Sequence, residues 1–342
     1  VINHFTPRDL ATLRELRERF LAGTAGAADY WKSPEHLELY DATFAERIGW
    51  KWDAVLDELR LRNWQPRSTR ILDWGCGTGV AHRRVLEMWP QFSRLTLHDR
   101  SPQARLFAAA RAQAAFPHLS VTWEPPAVDA DTLLVVSHVI NELPAAELDR
   151  LLHLARAAGE VIWVEAGTHL DSRRLIEVRE RLRPEFTPVA PCTHSRPCGM
   201  LTTKNAPHWC HHFARPPSAI FQDARWAEFA RELSIDLRSL PYSFLVLARS
   251  FHHDPGWSRV IGEPREAKGY ARVLSCQAEG LAEYILQKRD VPGLFRAARK
   301  GELGPLHRWQ VEHGKIVGVS EPAISPLPPP EPDADHVFPD GP

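Results

Sequence analysis

The residues most able to do chemistry in this chain are its cysteines. Cys192, Cys198 and Cys210 fall in one short stretch, Pro191-Cys192-Thr193-His194-Ser195-Arg196-Pro197-Cys198 followed by His208-Trp209-Cys210-His211-His212. Cys276 comes later and Cys76 stands apart. An odd total of five in 342 residues does not suit a secreted disulfide framework. Thiols this dense, interleaved with Pro and His, point to metal ligation in a reducing compartment. Four thiolates hold a [4Fe–4S] cluster or a tetrahedral zinc ion, and His194, His208, His211 and His212 keep a mixed Cys/His zinc site open. With no C-x-x-C pair, spacing does not separate these. The fourth cysteine comes from outside the stretch, and Cys276 and Cys76 are the two that remain. Cys76 lies in a glycine-rich loop and reads as a small residue fitted to that loop.

That loop is the second feature. Asp73-Trp74-Gly75-Cys76-Gly77-Thr78-Gly79 follows an apolar strand and opens a helix. Glycines allow a tight turn and close approach of backbone to a ligand, with a helix N-terminus behind. The spacing is G-x-G-x-G rather than the dinucleotide pattern G-x-G-x-x-G. It resembles motif I of class I S-adenosylmethionine-dependent methyltransferases. That resemblance implies a methyl-donor site made by Asp73, Gly75, Gly77 and Gly79, with Asp99 at the end of the next strand for the ribose hydroxyls. After the fourth strand comes Ser137-His138-Val139-Ile140-Asn141-Glu142-Leu143-Pro144. In this fold that loop faces the transferred methyl group. Asn141 and Glu142 are the candidates for orienting a substrate, against a plain reading as an Asn turn and a helix-starting Glu. His138 reads as a packed polar group. The Asn/Asp-Pro-Pro-Tyr motif of amino-directed nucleic-acid methyltransferases is absent from this loop.

Elements must position these residues. Residues 1–66 read as a helical region, with Leu10, Leu13, Leu16, Phe20 and Leu21 at helical spacing and Trp50 and Trp52 as packing residues. Residues 67–250 alternate strands with helices, which predicts an α/β, doubly wound parallel sheet. The strands are RILDW, RLTLHD, LSVTW, DTLLVVSHV and EVIWVEAG. Ser101 is placed to cap the second helix and Asp171 a later one. The Cys-rich insert, 184–220, has no convincing periodicity and is too long for an ordinary loop, so it needs a function or a metal to order it. Residues 223–233 look helical, and SIDLRSL and YSFLVLAR read as two strands joined through Pro241. Residues 251–317 form a small C-terminal β-containing unit, with YARVLSCQA and LAEYILQKR as strands and PGLFRAARKGEL as a helix. The Pro-rich acidic tail, 318–342, is expected to be disordered.

Overall charge is near neutral, at −1, which excludes a histone-like polycation. The distribution is uneven: residues 1–172 carry −4, residues 173–317 carry +8 and the tail −5. The basic excess coincides with the cysteines, and an RNA-facing surface is one reading of it. No apolar run is long enough to span a bilayer. The first residues, VINHFTPRDL, lack the basic and apolar regions of a secretory signal, so the cytoplasm is the expected compartment.

Longer runs carry a closer likeness. VEAGTHLDSRRLIEVRERL, VAPCTHSRPC, HWCHHF, LPYSFLVLAR and KGYARVLSCQAEG resemble the bacterial and mitochondrial small-ribosomal-subunit methyltransferase-like assembly factors, over about residues 65–290. The chain departs from that pattern at Ala166, Thr193, Gly199 and the order Tyr242-Ser243-Phe244. The resemblance implies that Cys192, Cys198, Cys210 and Cys276 ligate a [4Fe–4S] cluster, and that the partner is small-subunit rRNA or the small subunit itself. Three readings follow: a methyltransferase-like protein with a cluster, a non-catalytic RNA-binding assembly factor, and a zinc-containing methyltransferase of another substrate. Oligomeric state is not legible in the sequence.

Overall fold

Strand sequence in the middle of the chain is apolar on both sides of the backbone, as in TLLVVS, so both of its faces must be covered. The computed structural model describes residues 4–21, 31, 33–123 and 127–320 and shows how this is done. Helices α1 (Pro7–Leu21) and α2 (Pro34–Tyr40) lead through a π-helical turn at Asp41–Ala45 into α3 (Glu46–Leu61). Strands and helices then alternate: β1 (Arg70–Trp74), α4 (Val80–Met88), β2 (Arg94–His98), α5 (Pro102–Ala115), β3 (Ser120–Thr122), β4 (Thr132–Ser137), α6 (Ala145–Ala157), β5 (Glu160–Ala166) and α7 (His169–Leu182). The sheet is completed by β6 (Thr187–Ala190), β7 (His212–Phe213) and, after α8 (Ala224–Leu233), β8 (Pro241–Ala248).

The strand order is β3-β2-β1-β4-β5-β8-β6, with β7 paired to β8. From β3 to β5 all pairings are parallel, and β8 runs antiparallel to both β5 and β6. The fold is therefore α/β with a doubly wound, parallel-dominated sheet. Alternate residues face opposite layers. Ile71, Val135 and Val164 pack with α3, α4, α5 and α8, whereas Leu72, Leu134 and Trp163 pack with α6 and α7. Each such buried side chain contributes roughly 1.5–3 kcal/mol. Trp50 and Trp52 belong to the first layer, and Trp52 Nε1 donates to Ser137 Oγ at 2.9 Å, which ties α3 to the end of β4.

Local expectations meet three corrections. Ser101 caps α5 as expected, its side chain accepting from Ala104 N. The cap of α7 is Thr168, not Asp171. Thr168 Oγ1 accepts from Asp171 N, and Asp171 accepts in return from the threonine hydroxyl, so Asp171 steadies the cap from the third helical position. SIDLRSL forms turns rather than a strand, and β8 pairs instead with β5 and β6, because a central position in the sheet satisfies both of its edges. The insert is not wholly irregular: β6 is the last strand of the main path and β7 a short neighbour of β8.

Beyond β8 the chain forms β9 (Ser258–Ala267), β10 (Tyr270–Gln277), β11 (Gly280–Gln287), α9 (Pro292–Arg299), β12 (Leu306–Glu312) and β13 (Lys315–Ser320). The five strands close into a barrel in the order β10-β11-β13-β12-β9 around Val260, Val273, Leu286, Phe295 and Ile316. Because β13 runs through Ser320, the expected start of the tail at 318 falls inside a strand. The remainder of that tail, 321–342, lies outside the described residues.

Candidate functional site

Strand order reverses between β1 and β4, and ligands of open α/β sheets bind at the carboxyl ends of strands at such a switch point. The glycine loop sits there. Gly75 N donates to His98 O at 2.7 Å, which fixes the loop against the end of β2. Gly75 has φ +74°, and a Cβ there would come within 2.6 Å of Val139 Cγ1, so no side chain fits. At Gly77 the same test meets nothing within 4 Å, which leaves room for a ligand against the backbone. Asp99 shapes the loop from the other side. Its Oδ2 accepts from Gly77 N at 2.9 Å and its Oδ1 from Ser101 N at 2.8 Å, while burial pushes its carboxyl above the usual range. Asp73 lies beneath the loop, fully buried against His82, with 2.7 Å between Oδ2 and Nδ1. It is not on the cavity wall, so it can act on a ligand only by bracing the loop.

A cavity of about 840 Å3 opens over this loop. Gly75, Gly77, Asp99, Asn141 and Glu142 all line it. Sequence reasoning did not single out Tyr40, Lys51 or Glu165 as functional, yet they line it too. Lys51 is half-buried on α3, its Nζ 3.2 Å from His138 Nε2, and the desolvation of its head group pushes its amine down to about 8. Burial also depresses His138, which sits at φ +54° with its N–H donating to Val164 O. Glu165, at the end of β5, is pushed up to about 8 by burial. Its Oε1 accepts from Trp163 Nε1 at 2.6 Å, Ile140 N at 3.0 Å and Val139 N at 3.1 Å. Glu142 is raised by burial, with Arg100 3.7 Å away drawing it back. The wall thus offers carboxyl groups that a bound cation would ionise, and an amine poised to exchange a proton near neutrality.

The second site is smaller. Cys192, Cys198, Cys210 and Cys276 line one cavity of about 30 Å3, together with apolar side chains such as Leu175, Ile176, Met200 and Ile261 and two arginines. Cys276 comes from β10 and Cys210 from the segment just before β7, so insert and barrel meet here. Cys76, within the glycine loop and on the wall of the larger cavity, is absent from this one. Burial and the neighbouring thiols push Cys198 up to about 11 and Cys210 and Cys276 up as well. His194 Nε2 lies 4.0 Å from Cys276 Sγ and His212 Nε2 3.8 Å from Cys210 Sγ. Among the described residues no three His, Cys, Asp or Glu groups converge as one metal ion requires.

Buried arginines surround these thiols, and sequence reasoning did not find them. Arg179, 2% exposed on α7, donates from Nε to Cys192 Sγ at 3.1 Å and from Nη2 to Arg196 O at 2.9 Å. Arg259 lines the same cavity and pairs with Glu58 at 2.8 Å. Glu58 also holds Arg62 at 2.7 Å, and Arg62 donates to the carbonyls of Val189, Pro191 and Cys192. The i, i+4 pair Glu58/Arg62 reads in sequence as an ordinary helix-surface ion pair. Only the fold shows that the barrel's Arg259 completes it.

A family model described as mitochondrial small ribosomal subunit Rsm22 matches residues 45–308, and the chain belongs to that family. The solved structures it resembles are RNA and small-molecule methyltransferases. One, described as a candidate RNA methyltransferase from Pyrococcus horikoshii, is 10% identical over 59% of this chain and 84% of that one, with TM-score 0.36. Magnesium protoporphyrin IX methyltransferase from Synechocystis, solved with S-adenosylmethionine bound, is 12% identical over 73% and 100%, with TM-score 0.37. Mitomycin 7-O-methyltransferase is 13% identical over 72% and 69%, with TM-score 0.35. No curated protein sequence matches the chain. No helix among the described residues is long and apolar enough to cross a membrane.

Proposed function

We propose that this member of the Rsm22 family is an S-adenosylmethionine-dependent methyltransferase-like protein that carries a [4Fe–4S] cluster and acts with the small ribosomal subunit and its rRNA, in a reducing compartment that we read as the cytoplasm. The observation that carries the reading is the glycine loop, opened at Gly77 beside Asp99, under an 840 Å3 cavity at the switch point of the sheet. The size falls within the range of small-molecule sites. The donor, when bound, supplies an electrophilic methyl group on a sulfonium. Asp99 keeps lone pairs free beyond its two backbone bonds and would take the ribose hydroxyls. Gly75 and Gly77 would hold the methionine end, with Gly79, turned toward His82 and Ala108, and Asp73 bracing them from below. Asn141 and Glu142 stand on the wall where an acceptor would be oriented, and methyl transfer asks chiefly for such positioning. Lys51, beside His138, would take the proton that an acceptor N–H or O–H gives up.

The cysteine cavity fits an iron–sulfur cluster by its donor chemistry. Four thiolates on a cluster leave net negative charge, and here, among the described residues, the guanidiniums of Arg62, Arg179 and Arg259 meet only two carboxylates, Glu58 and Glu180, which leaves one positive charge for the sulfurs to balance. A guanidinium whose Nε faces a sulfur is poorly compensated by a neutral thiol and well compensated by a thiolate. A single tetrahedral zinc ion would draw its sulfurs to about 3.8 Å from one another; among the described residues no three such groups converge on one ion, and a cluster asks for wider spacing of its thiolates. Cys192, Cys198, Cys210 and Cys276 would hold the cluster and tie insert to barrel, which adds to folding free energy.

Anaerobically purified full-length protein tests both halves. We expect visible thiolate-to-iron absorption with iron and sulfide in equal amounts, and calorimetric binding of S-adenosylmethionine that Asp99→Ala weakens by about 1.5–3 kcal/mol. Colourless protein with one zinc ion, or no heat at millimolar donor, would overturn the respective half. Binding without transfer of labelled methyl to small-subunit rRNA would select the non-catalytic assembly factor.

A further inference from the structure

The closed barrel is joined in a particular way. Taking β9 to β13 as its first to fifth strands, the order is second-third-fifth-fourth-first, β11 and β13 run parallel, and α9 lies between the third and fourth strands. That is the connectivity of an OB-fold, whose ligands lie on the face of the second and third strands between the first-to-second and fourth-to-fifth loops. The fold alone assigns no function, so the face itself must be read.

Register and burial give its composition. Ala271, Val273 and Leu286 point into the barrel, so Tyr270, Arg272, Leu274 and Cys276 of β10 point outward. Across the ladder their neighbours are Gln287, Ile285, Glu283 and Leu281 on β11, and Arg265 stands opposite Arg272 on β9. The two ends of this face differ. At the end bearing Cys276 and Leu281 the insert covers it: a Cβ on Gly199 would lie 3.1 Å from Gly280 Cα, and Met200 packs with Ile261 and Leu274. The other end is uncovered. It lies between the β9–β10 turn, Lys268-Gly269, and the β12–β13 turn, His313-Gly314, both held to it by backbone bonds: Lys288 N to Gly269 O and Ile285 N to Gly314 O, each 3.0 Å.

Charge at this open end is in positive excess. Arg265 and Arg272, 64% and 50% exposed, share the single carboxylate of Glu283. Lys268 and Lys288 are exposed at its edge, and Lys315 stands beside Ile285 across the parallel pair; the further carboxylates nearby are Glu312 and Glu266, the latter paired with Arg299 of α9. Tyr270 and Ile285, half-buried, provide a flat apolar surface among these cations. Cations along a groove with an aromatic platform between them are the means by which single strands are held without sequence preference: phosphates to Lys and Arg, a base on the ring. A duplex, whose bases are already stacked on one another, offers nothing to Tyr270.

We infer that the uncovered end of the β9–β10–β11 face, with Tyr270, Arg265, Arg272 and Lys268, is a binding surface for single-stranded nucleic acid. It deepens the RNA reading above by naming the surface and the form of the strand, and rests on that reading only for the strand being RNA.

The test is fluorescence anisotropy of the full-length, anaerobically prepared chain with a labelled 12-nucleotide single-stranded RNA and a blunt duplex of the same sequence. We expect the single strand to bind at least tenfold tighter than the duplex, with affinity falling as salt rises. Arg272→Glu should weaken it tenfold or more. Tyr270→Ala should weaken it fivefold or more, and Tyr270→Phe, which keeps the ring, should restore it. Arg150→Ala and Arg181→Ala, exposed on α6 and α7, should bind like the parent. Thermal melts and iron content of Arg272→Glu and Tyr270→Ala should match the parent, and photocrosslinks from a 4-thiouridine strand should fall on β10 in the unaltered chain. Preference for the duplex, or parent-like binding by both barrel variants, would overturn the barrel surface while leaving the RNA partner standing. Failure to bind any RNA, ribosomal transcript included, would overturn both.

Discussion

The glycine-loop cavity and the cysteine cavity are built on opposite plans. The first is large, and its floor comes from one contiguous run, Gly75 to Thr78, with Asp99 one helix and one strand further on. The second is a small apolar void of about 30 Å3, and its thiols come from the insert and the barrel, far apart in sequence. The first is shaped by backbone, through positive φ at the glycines and amides tied to Asp99. Side chains hold the second, above all the buried arginines 62, 179 and 259. A site made of backbone at a sheet's switch point persists when empty. A site made of buried charge and thiols needs its occupant to balance it. Helix α3 touches both, with Lys51 on one wall and Glu58 two turns later at the support of the other.

The largest expected effect separates the two. Cys276→Ser removes the barrel's ligand, so essentially all iron should be lost and the 199–205 turns should become protease-sensitive, while S-adenosylmethionine binding stays within a few fold. Metal analysis, limited proteolysis and calorimetry on one preparation give the answer. Full iron retention would break the assignment of Cys276, and loss of donor binding in step with iron would break the independence of the cavities. Next in size is Glu58→Gln, which leaves Arg62 and Arg259 buried without their counter-charge. Removing one partner of such a network costs about 3–5 kcal/mol, so chemical denaturation should show a loss of that order. Asp57→Asn, exposed one residue earlier, should change little. A loss under about 1 kcal/mol for Glu58→Gln would show that water reaches the network.

What could be read in the sequence follows the same division. The strand, loop and acid of the first site are local, and β1, β2, β4, β5 and their helices stand where periodicity puts them. The glycines needed no partner to be recognised, because the turn itself demands them. Lys51 was not legible: it lies in an amphipathic helix with nothing to mark it, and only packing of α3 over the end of β4 turns it toward the loop. Arg179 and Arg259 look like solvated charges until thiols from elsewhere are folded onto them. The four cysteines were visible as residue types, and the resemblance named them as a set, but their meeting depends on closure of a barrel of which three strands, β9, β12 and β13, escaped the reading. Those strands carry mixed polar and apolar residues at short spacing, as in SRVIGEPREA, and take their order from partners rather than from their own pattern. SIDLRSL shows the converse. It alternates like a strand, and no sheet edge remains for it once β8 is paired on both sides.

The smallest expected effect concerns the different response of the two cavities to pH. The thiols of Cys198, Cys210 and Cys276 are pushed upward, away from neutrality, whereas Glu165 on the first wall is pushed from 4.5 to about 8. A carboxyl whose folded value lies above its unfolded one stabilises the fold most fully below pH 4.5. That contribution is lost as pH rises from 4.5 to about 8 and is gone above it. Asp171 adds to the upward shift, and the charge of Lys51 is drawn toward Glu165 across the cavity. Glu165→Gln preserves the single oxygen that accepts from Trp163 Nε1, Val139 N and Ile140 N, and removes the titration. Between pH 6 and pH 7.5 the parent should therefore lose roughly 1–2 kcal/mol relative to the glutamine variant. Parallel urea melts of the two proteins at those pH values measure the difference directly. If it vanishes, Glu165 is ionised throughout, and the first cavity already holds enough positive charge or water to keep a carboxylate without a ligand. If the difference appears and S-adenosylmethionine abolishes it, the sulfonium has taken over the neutralisation of Glu165. That outcome would place the donor's charge against the end of β5.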